Sequence, residues 1–318
     1  MRLLAVIAVV GAGCGSQHAK PVDGGECTPF TATGSGDMHE VQPVWAGDSW
    51  AIARPGTYVR IDEAGTISET SFADLPDEPF AYDGVELGYY VALPVPHIAL
   101  FTPGDMSTLH ASPTFGENMQ SSSTASVRAD PSGTARIEAF YTAGFTAAHG
   151  WSDGSFVAES HDGLNSVAIV LAPGSTAEMY RTEGSPGFPS GVTFASLASG
   201  DVALDQPFGD SVTPQPPQMV ASDDVAIVRA GGVQALKIAN GGETQVVSGP
   251  VAWNGQVFVS YAGGELTLFD HDYRAYAPRP LAVSNTTLLG VGATGDRALL
   301  VFQSATATDS VDYVQVCL

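Results

Sequence analysis

Residues 46–62, AGDSWAIARPGTYVRID, align without a gap on residues 254–270, NGQVFVSYAGGELTLFD. Gly47 falls on Gly255, Trp50 on Phe258, Gly56 on Gly264, Tyr58 on Leu266, Ile61 on Phe269 and Asp62 on Asp270. Each copy reads as a strand, a glycine turn and a second strand ending at Asp. Apolar, aromatic and β-branched residues alternate within the runs, which is the period of a pleated strand, and glycine supplies the turn at little steric cost.

Weaker copies begin near Leu87, Thr134, Asn165, Asp223 and Gly295, which makes seven hairpins at a period of about 40 residues. The 36 Gly and 21 Pro punctuate short apolar runs such as SVAIVL, DVAIV and RALLVF. No window keeps helical periodicity for three turns with caps at both ends, so the chain reads as all-β. A strand hairpin recurring every 40 to 50 residues resembles a β-propeller, in which four-stranded antiparallel blades surround a central channel. The resemblance covers residues 27–318 and implies a single propeller of seven blades. The hairpin starts are uneven, 31 residues apart at one point and 58 at another, so six or eight blades stay open. The longest interval contains GVTFASLASGDVALDQPFGDSVTPQPPQ, room for a further short hairpin or a long loop.

The amino terminus, MRLLAVIAVVGAGCGS, places eight apolar residues after Arg2. That run is too short to span a bilayer and has the length of a secretory h-region. Its Gly series could instead open a nucleotide-binding turn, but such a turn must lead into a helix, and SQHAKPVDGGE cannot form one. The stretch Gly11, Ala12, Gly13, Cys14 resembles a bacterial lipoprotein signal, with Gly11 where that family usually has Leu. The resemblance implies a signal peptide over 1–13, acylation at Cys14, a flexible tether over 14–26, and a membrane-anchored protein at the periplasmic or surface face of the outer membrane.

Three cysteines are an awkward number in an oxidising compartment, and assigning Cys14 to lipid leaves Cys27 and Cys317. They are either two free thiols or a disulfide across almost the whole folded body. A propeller commonly closes by pairing an N-terminal strand into the last blade, which would bring these two together as a structural staple.

Charge narrows the partners. With 34 acids against 12 bases the formal net charge is −22, and a surface so acidic repels phosphate backbones, so nucleic acid is excluded. The 44% hydrophobic content supports a packed body rather than a disordered chain, expected to act as a monomer.

Catalytic patterns largely dissolve into turns. Gly150-Trp151-Ser152-Asp153-Gly154 fits G-x-S-x-G, but that nucleophile turn needs a helix after the Ser, and here a strand follows an Asp-Gly turn signal. Phe208-Gly209-Asp210-Ser211 and Gly47-Asp48-Ser49-Trp50 resemble the first block of Gly-Asp-Ser-Leu hydrolases, with no Asp-x-x-His to supply a base. The seven histidines form no pair at ligand spacing, and Asp270-His271-Asp272 reads as a solvated turn, so no metal or cofactor is expected. Trp45, Trp50 and Trp253 occupy repeat positions and read as blade core; Trp151, in a turn, is the candidate exposed contact residue. Two functions remain. One is a non-catalytic binding or scaffold protein for a protein, peptide or glycan; the alternative is a propeller hydrolase or lyase acting on extracellular polysaccharide.

Overall fold

The structure is a computed structural model that describes residues 27–36, 41–72, 75, 80–92, 94–114, 126–130, 134–143, 146–161, 166–171, 178–181, 193–196, 202–205, 217–221, 224–229, 232–237, 242–248, 250–254, 256–270, 274–281, 283, 287–304, 307 and 309–318. After β1 (Phe30–Ser35), the strands β2 (Val44–Trp45), β3 (Ser49–Arg54), β4 (Thr57–Asp62) and β5 (Ile67–Ser71) form the first antiparallel blade. The second comprises β6 (Ala81–Tyr82), β7 (Leu87–Val91), β8 (His97–Thr102) and β9 (Asp105–Ala111). A six-stranded sheet follows, from β10 (Ser126–Ala129), β11 (Ile137–Ala143), β12 (Thr146–Trp151), β13 (Phe156–His161), β14 (Ser166–Leu171) and β15 (Glu178–Arg181). Next, β16 (Thr193–Ser196) and β17 (Val202–Asp205) pair as two strands.

Four-stranded blades then resume. One is β18 (Pro217–Ala221), β19 (Asp224–Arg229), β20 (Gly232–Lys237) and β21 (Gly242–Ser248); the next is β22 (Val251–Trp253), β23 (Phe258–Ala262), β24 (Glu265–Phe269) and β25 (Arg279–Pro280). In the last, β26 (Leu288–Thr294), β27 (Arg297–Gln303) and β28 (Ser310–Cys317) take β1 as their fourth strand. The chain is therefore an all-β propeller, closed by its own first strand.

All seven hairpins anticipated from the repeat are paired, and the long interval holds the short hairpin β16–β17. The blade count, however, is corrected. Among the described residues, five sheets are four-stranded blades, where seven were expected. Between them, β13 pairs with β14 from Phe156–Leu171 to His161–Ser166, so a chain expected to cross to a new blade folds back on the old one. That pairing extends one sheet to six strands and leaves β16 and β17 as a sheet of two.

The core lies between blades rather than within them. In β27, Ala298, Leu300 and Phe302 pack toward β23 and β24, while Leu299 and Val301 pack against Trp50, Ile52, Val59 and Ile61 of the first blade. Successive side chains leave opposite faces of a strand, and both faces of this strand are covered, so RALLVF reads as a continuous apolar run. The seam between first and last blades is tight. A Cβ on Gly290 would lie 1.9 Å from the carbonyl oxygen of Val41, and one on Gly292 would lie 2.4 Å from that of Pro43. Only glycine lets the lead-in to β2 lie this close along β26.

The two aligned repeats are equivalent in space as well. Trp50 pairs with Ile61 and Phe258 with Phe269, and the turn glycines Gly56 and Gly264 both take left-handed backbone, at φ 67° and 87°. Asp62 ends β4 by accepting the backbone N–H groups of Ala64 and Thr66, and Asp270 accepts that of Arg274. The bond from Ala64 makes an Asx-type turn at Asp62, in which a short carboxylate replaces a backbone acceptor.

Candidate functional site: the channel mouth

The innermost strands β2, β6, β10, β22 and β26 line a cavity of about 240 Å³ on the propeller axis. Their final residues, Trp45, Tyr82, Ala129, Trp253 and Thr294, all line that cavity. Side-chain and backbone contacts bring four of these ends to one mouth. Beside Trp253, Asn254 donates its Nδ2 to the Gly295 carbonyl at 2.8 Å and accepts from the Gly295 N–H at 3.0 Å. Just beyond that turn, the Arg297 guanidinium sits 4.4 Å from the centroid of the Trp45 ring. The hydroxyl of Tyr82 lies close to Gly47, two residues past Trp45, and donates to the Gly84 carbonyl at 2.8 Å. Trp45, Tyr82 and Trp253 are each half-buried, and together they form an aromatic collar.

Electrostatically the wall is unlike the rest of the molecule. Although the chain carries 34 acids, no carboxylate or histidine is among the described residues lining the cavity, and Arg128 is the one basic side chain among them. Arg128 donates Nε to Oε2 of its cross-strand partner Glu138 at 2.7 Å, and Glu138 is fully buried. Such a pair is retained only when desolvation is offset by direct hydrogen bonding, so its charge is largely compensated. Arg297, also buried, is compensated by Glu63 at 3.0 Å and Asp296 at 3.1 Å. The described wall is thus aromatic and close to neutral, suited to packing and hydrogen bonding.

The structure joins Cys27 to Cys317, with Cα atoms 5.7 Å apart, at the start of the β1–β28 pairing. Cys14 lies outside the described residues. Trp151 is corrected: it is 5% exposed rather than displayed on a turn. It ends β12 with its ring under the Arg136 guanidinium at 4.9 Å, and Arg136 is pinned by Asp130 and by Asp153 at 2.8 Å. Burial pushes the Asp153 carboxyl up, but hydrogen bonds from Ser155 and Arg136 outweigh it and hold the carboxyl below its usual range.

Of the three tryptophans read as blade core, only Trp50 is fully buried. Trp45 meets it edge-on at 5.3 Å, and Trp253 tilts against Phe258 at 4.6 Å, each with part of its surface left to the channel.

The remaining motifs are structural where they are described. Ser49 is buried, donates to Asp48 at 2.8 Å and accepts from Arg60 at 2.9 Å, and Ser152 accepts the Ile137 N–H at 3.0 Å. Phe208-Gly209-Asp210-Ser211, His271 and Asp272 lie outside the described residues. Among the described residues no three His, Cys, Asp or Glu side chains group as metal ligands.

No protein-family model matches the chain, and no curated protein matches it either. Solved structures do. The β-propeller domain of Cps50 (Swd1) from Myceliophteria thermophila is 12% identical, with a TM-score of 0.49 over 91% of this chain and 100% of that one. Streptogramin B lyase is 9% identical, with a TM-score of 0.44 over 90% and 97%. PorZ, a bacterial surface component of the type-IX secretion system of Porphyromonas gingivalis, is 12% identical with a TM-score of 0.42; the match covers 88% of this chain and 38% of PorZ. The assignment of the fold rests on the sheets themselves.

The collar was missed because its members look like core. Yet a signal is there: VWAG, AYDG and AWNG each place an aromatic residue two positions before a glycine, at Trp45, Tyr82 and Trp253. An aromatic held at a strand end, rather than mid-strand, belongs to a rim.

Proposed function

We propose that the protein is a non-catalytic binding or scaffold propeller that engages a protein, peptide or glycan at the channel mouth. The observation that carries this reading is the lining of the channel: half-buried aromatics, amide and hydroxyl groups, and a single compensated arginine. A hydrolase or lyase needs an acid and a base converging on one point, and no carboxylate or histidine is among the described residues lining the cavity. The test is to incubate the purified protein with a panel of polysaccharides and peptides. Thermal stabilisation without new reducing or unsaturated chain ends supports the reading; release of such ends overturns it.

The same reading places the body, residues 27–318, outside the cytoplasm, where a disulfide persists, tethered by residues 14–26 to a lipid on Cys14 in the outer membrane. No helix among the described residues is long and apolar enough to cross a membrane. Intact mass of the membrane-extracted protein decides: loss of residues 1–13 with added acyl mass supports the anchor, and an unmodified Met1 overturns it.

A further inference from the structure

We propose that the collar of Trp45, Tyr82 and Trp253 is a carbohydrate site that takes the terminal ring of a neutral glycan, an inference that rests on the binding role proposed above. Three observations select this ligand class. The first is position. The collar residues are the last residues of the innermost strands of three blades, half-buried around one opening. The aromatic filling of two of those blades is supplied one strand further out, by Trp50 and Phe258, both fully buried. The collar therefore presents amphipathic rings to a wet opening, where the C–H face of a sugar packs and its hydroxyls reach polar groups. Gln42 and Thr294 line the same cavity, and the Tyr82 hydroxyl, donating to Gly84, keeps a lone pair with which to accept.

The second is charge. An aromatic collar can hold a quaternary ammonium group through its ring faces. Here the Arg297 guanidinium already lies 4.4 Å from the Trp45 centroid, and no carboxylate is among the described residues lining the cavity, so a cationic ligand finds that ring already taken by a cation and no counter-charge in the described wall. Both guanidinium groups are held by carboxylates, Glu138 for Arg128 and Glu63 with Asp296 for Arg297, so nothing calls for an anion either.

The third is shape. A cavity of about 240 Å³ lined by strands from five sheets is smaller than the pockets that take drug-sized ligands, so it suits one terminal ring rather than a long stretch of chain. Extended proline-rich peptides need an open groove.

The test uses the full folded protein and a panel of neutral hexasaccharides of glucose, xylose, mannose and N-acetylglucosamine, with choline and a hexaproline peptide beside them. Binding is read by tryptophan fluorescence and calorimetry. At least one saccharide is expected to bind saturably, and Trp253→Ala and Tyr82→Ala are each expected to weaken it by about tenfold or more, while Trp151→Phe leaves it unchanged. Unchanged thermal unfolding of the two collar variants, or a matching loss in Trp253→Leu, ties the effect to the ring and not to the fold. Saccharide binding that survives both collar variants overturns the collar and leaves the binding role standing. Saturable binding of choline or hexaproline alone overturns the ligand class, and cleavage of a saccharide overturns the binding role itself.

Discussion

The indole Nε1 of Trp50 donates to Oε1 of Gln315 at 2.6 Å, joining the first blade to the last across 265 residues of sequence. Gln315 is itself 1% exposed, and its Nε2 donates to the Thr28 carbonyl at 2.7 Å, one residue from the disulfide. A single amide therefore ties β3, β28 and the lead-in to β1 together at the closure. Gln315→Leu leaves a buried N–H and a carbonyl without their partner, which is expected to cost about 1–3 kcal/mol. Urea denaturation followed by tryptophan fluorescence measures it, and a loss below about 0.5 kcal/mol would sink the idea that this amide holds the seam.

The disulfide spans 290 residues, and chain entropy for a loop of that length amounts to about 5–6 kcal/mol. Cys27→Ser is expected to lower stability by about 2–5 kcal/mol, since measured cases fall short of the entropic figure. Because β1 is the edge strand of its sheet, hydrogen exchange should quicken first over Phe30–Ser35. Exchange that quickens uniformly along the chain would count against a local clasp.

At the seam, Gly290→Ala and Gly292→Ala each drive a methyl group into a backbone carbonyl, which cannot step aside as a side-chain tip can. Each is expected to destabilise by about 1–3 kcal/mol, the range of overpacking in a filled core. Gly263→Ala is the control for steric contact, because a Cβ there meets nothing within 4 Å and the cost is confined to its left-handed φ of 62°.

Alkaline pH offers a further measurement. Burial pushes the Tyr313 phenol up to about 12, with Arg54 drawing it down and Glu69 raising it. A raised folded-state value means that this contribution is whole below the ordinary phenol value of about 10 and is lost as pH rises from there through about 12. Stability is expected to fall over that window by up to about 1.4 kcal/mol per pH unit, and Tyr313→Phe to flatten the slope. At the acid end the sign reverses. The Thr66 N–H, ahead of the opposing effect of burial, holds Asp62 below its usual range, so its contribution fades as pH falls below about 4.

Trp151 discriminates packing from recognition. Buried under Arg136, it is expected to cost about 3 kcal/mol or more on substitution by Ala, read as a lower unfolding midpoint. A Trp151→Ala protein of unchanged stability would restore it to the surface.

Much of the architecture was legible in the order of residues. Alternation is a property of neighbours in the chain, so AGDSWAIARPGTYVRID and its partner copy revealed strand, turn, strand and the closing Asp before any contact was known. Cysteine count left Cys27 and Cys317 as either free thiols or a bridge, and the structure shows the bridge. What the chain order could not carry was the choice between equally good pairings. Nothing local tells β14 whether to add to β13 or to open a new blade, because edge strands offer the same row of N–H and C=O groups to either partner. Nor could periodicity separate Trp45 and Trp253 from Trp50, or Trp151 from a rim. Whether a ring is core or collar depends on how far along its strand it stands from a channel that exists only when distant blades meet.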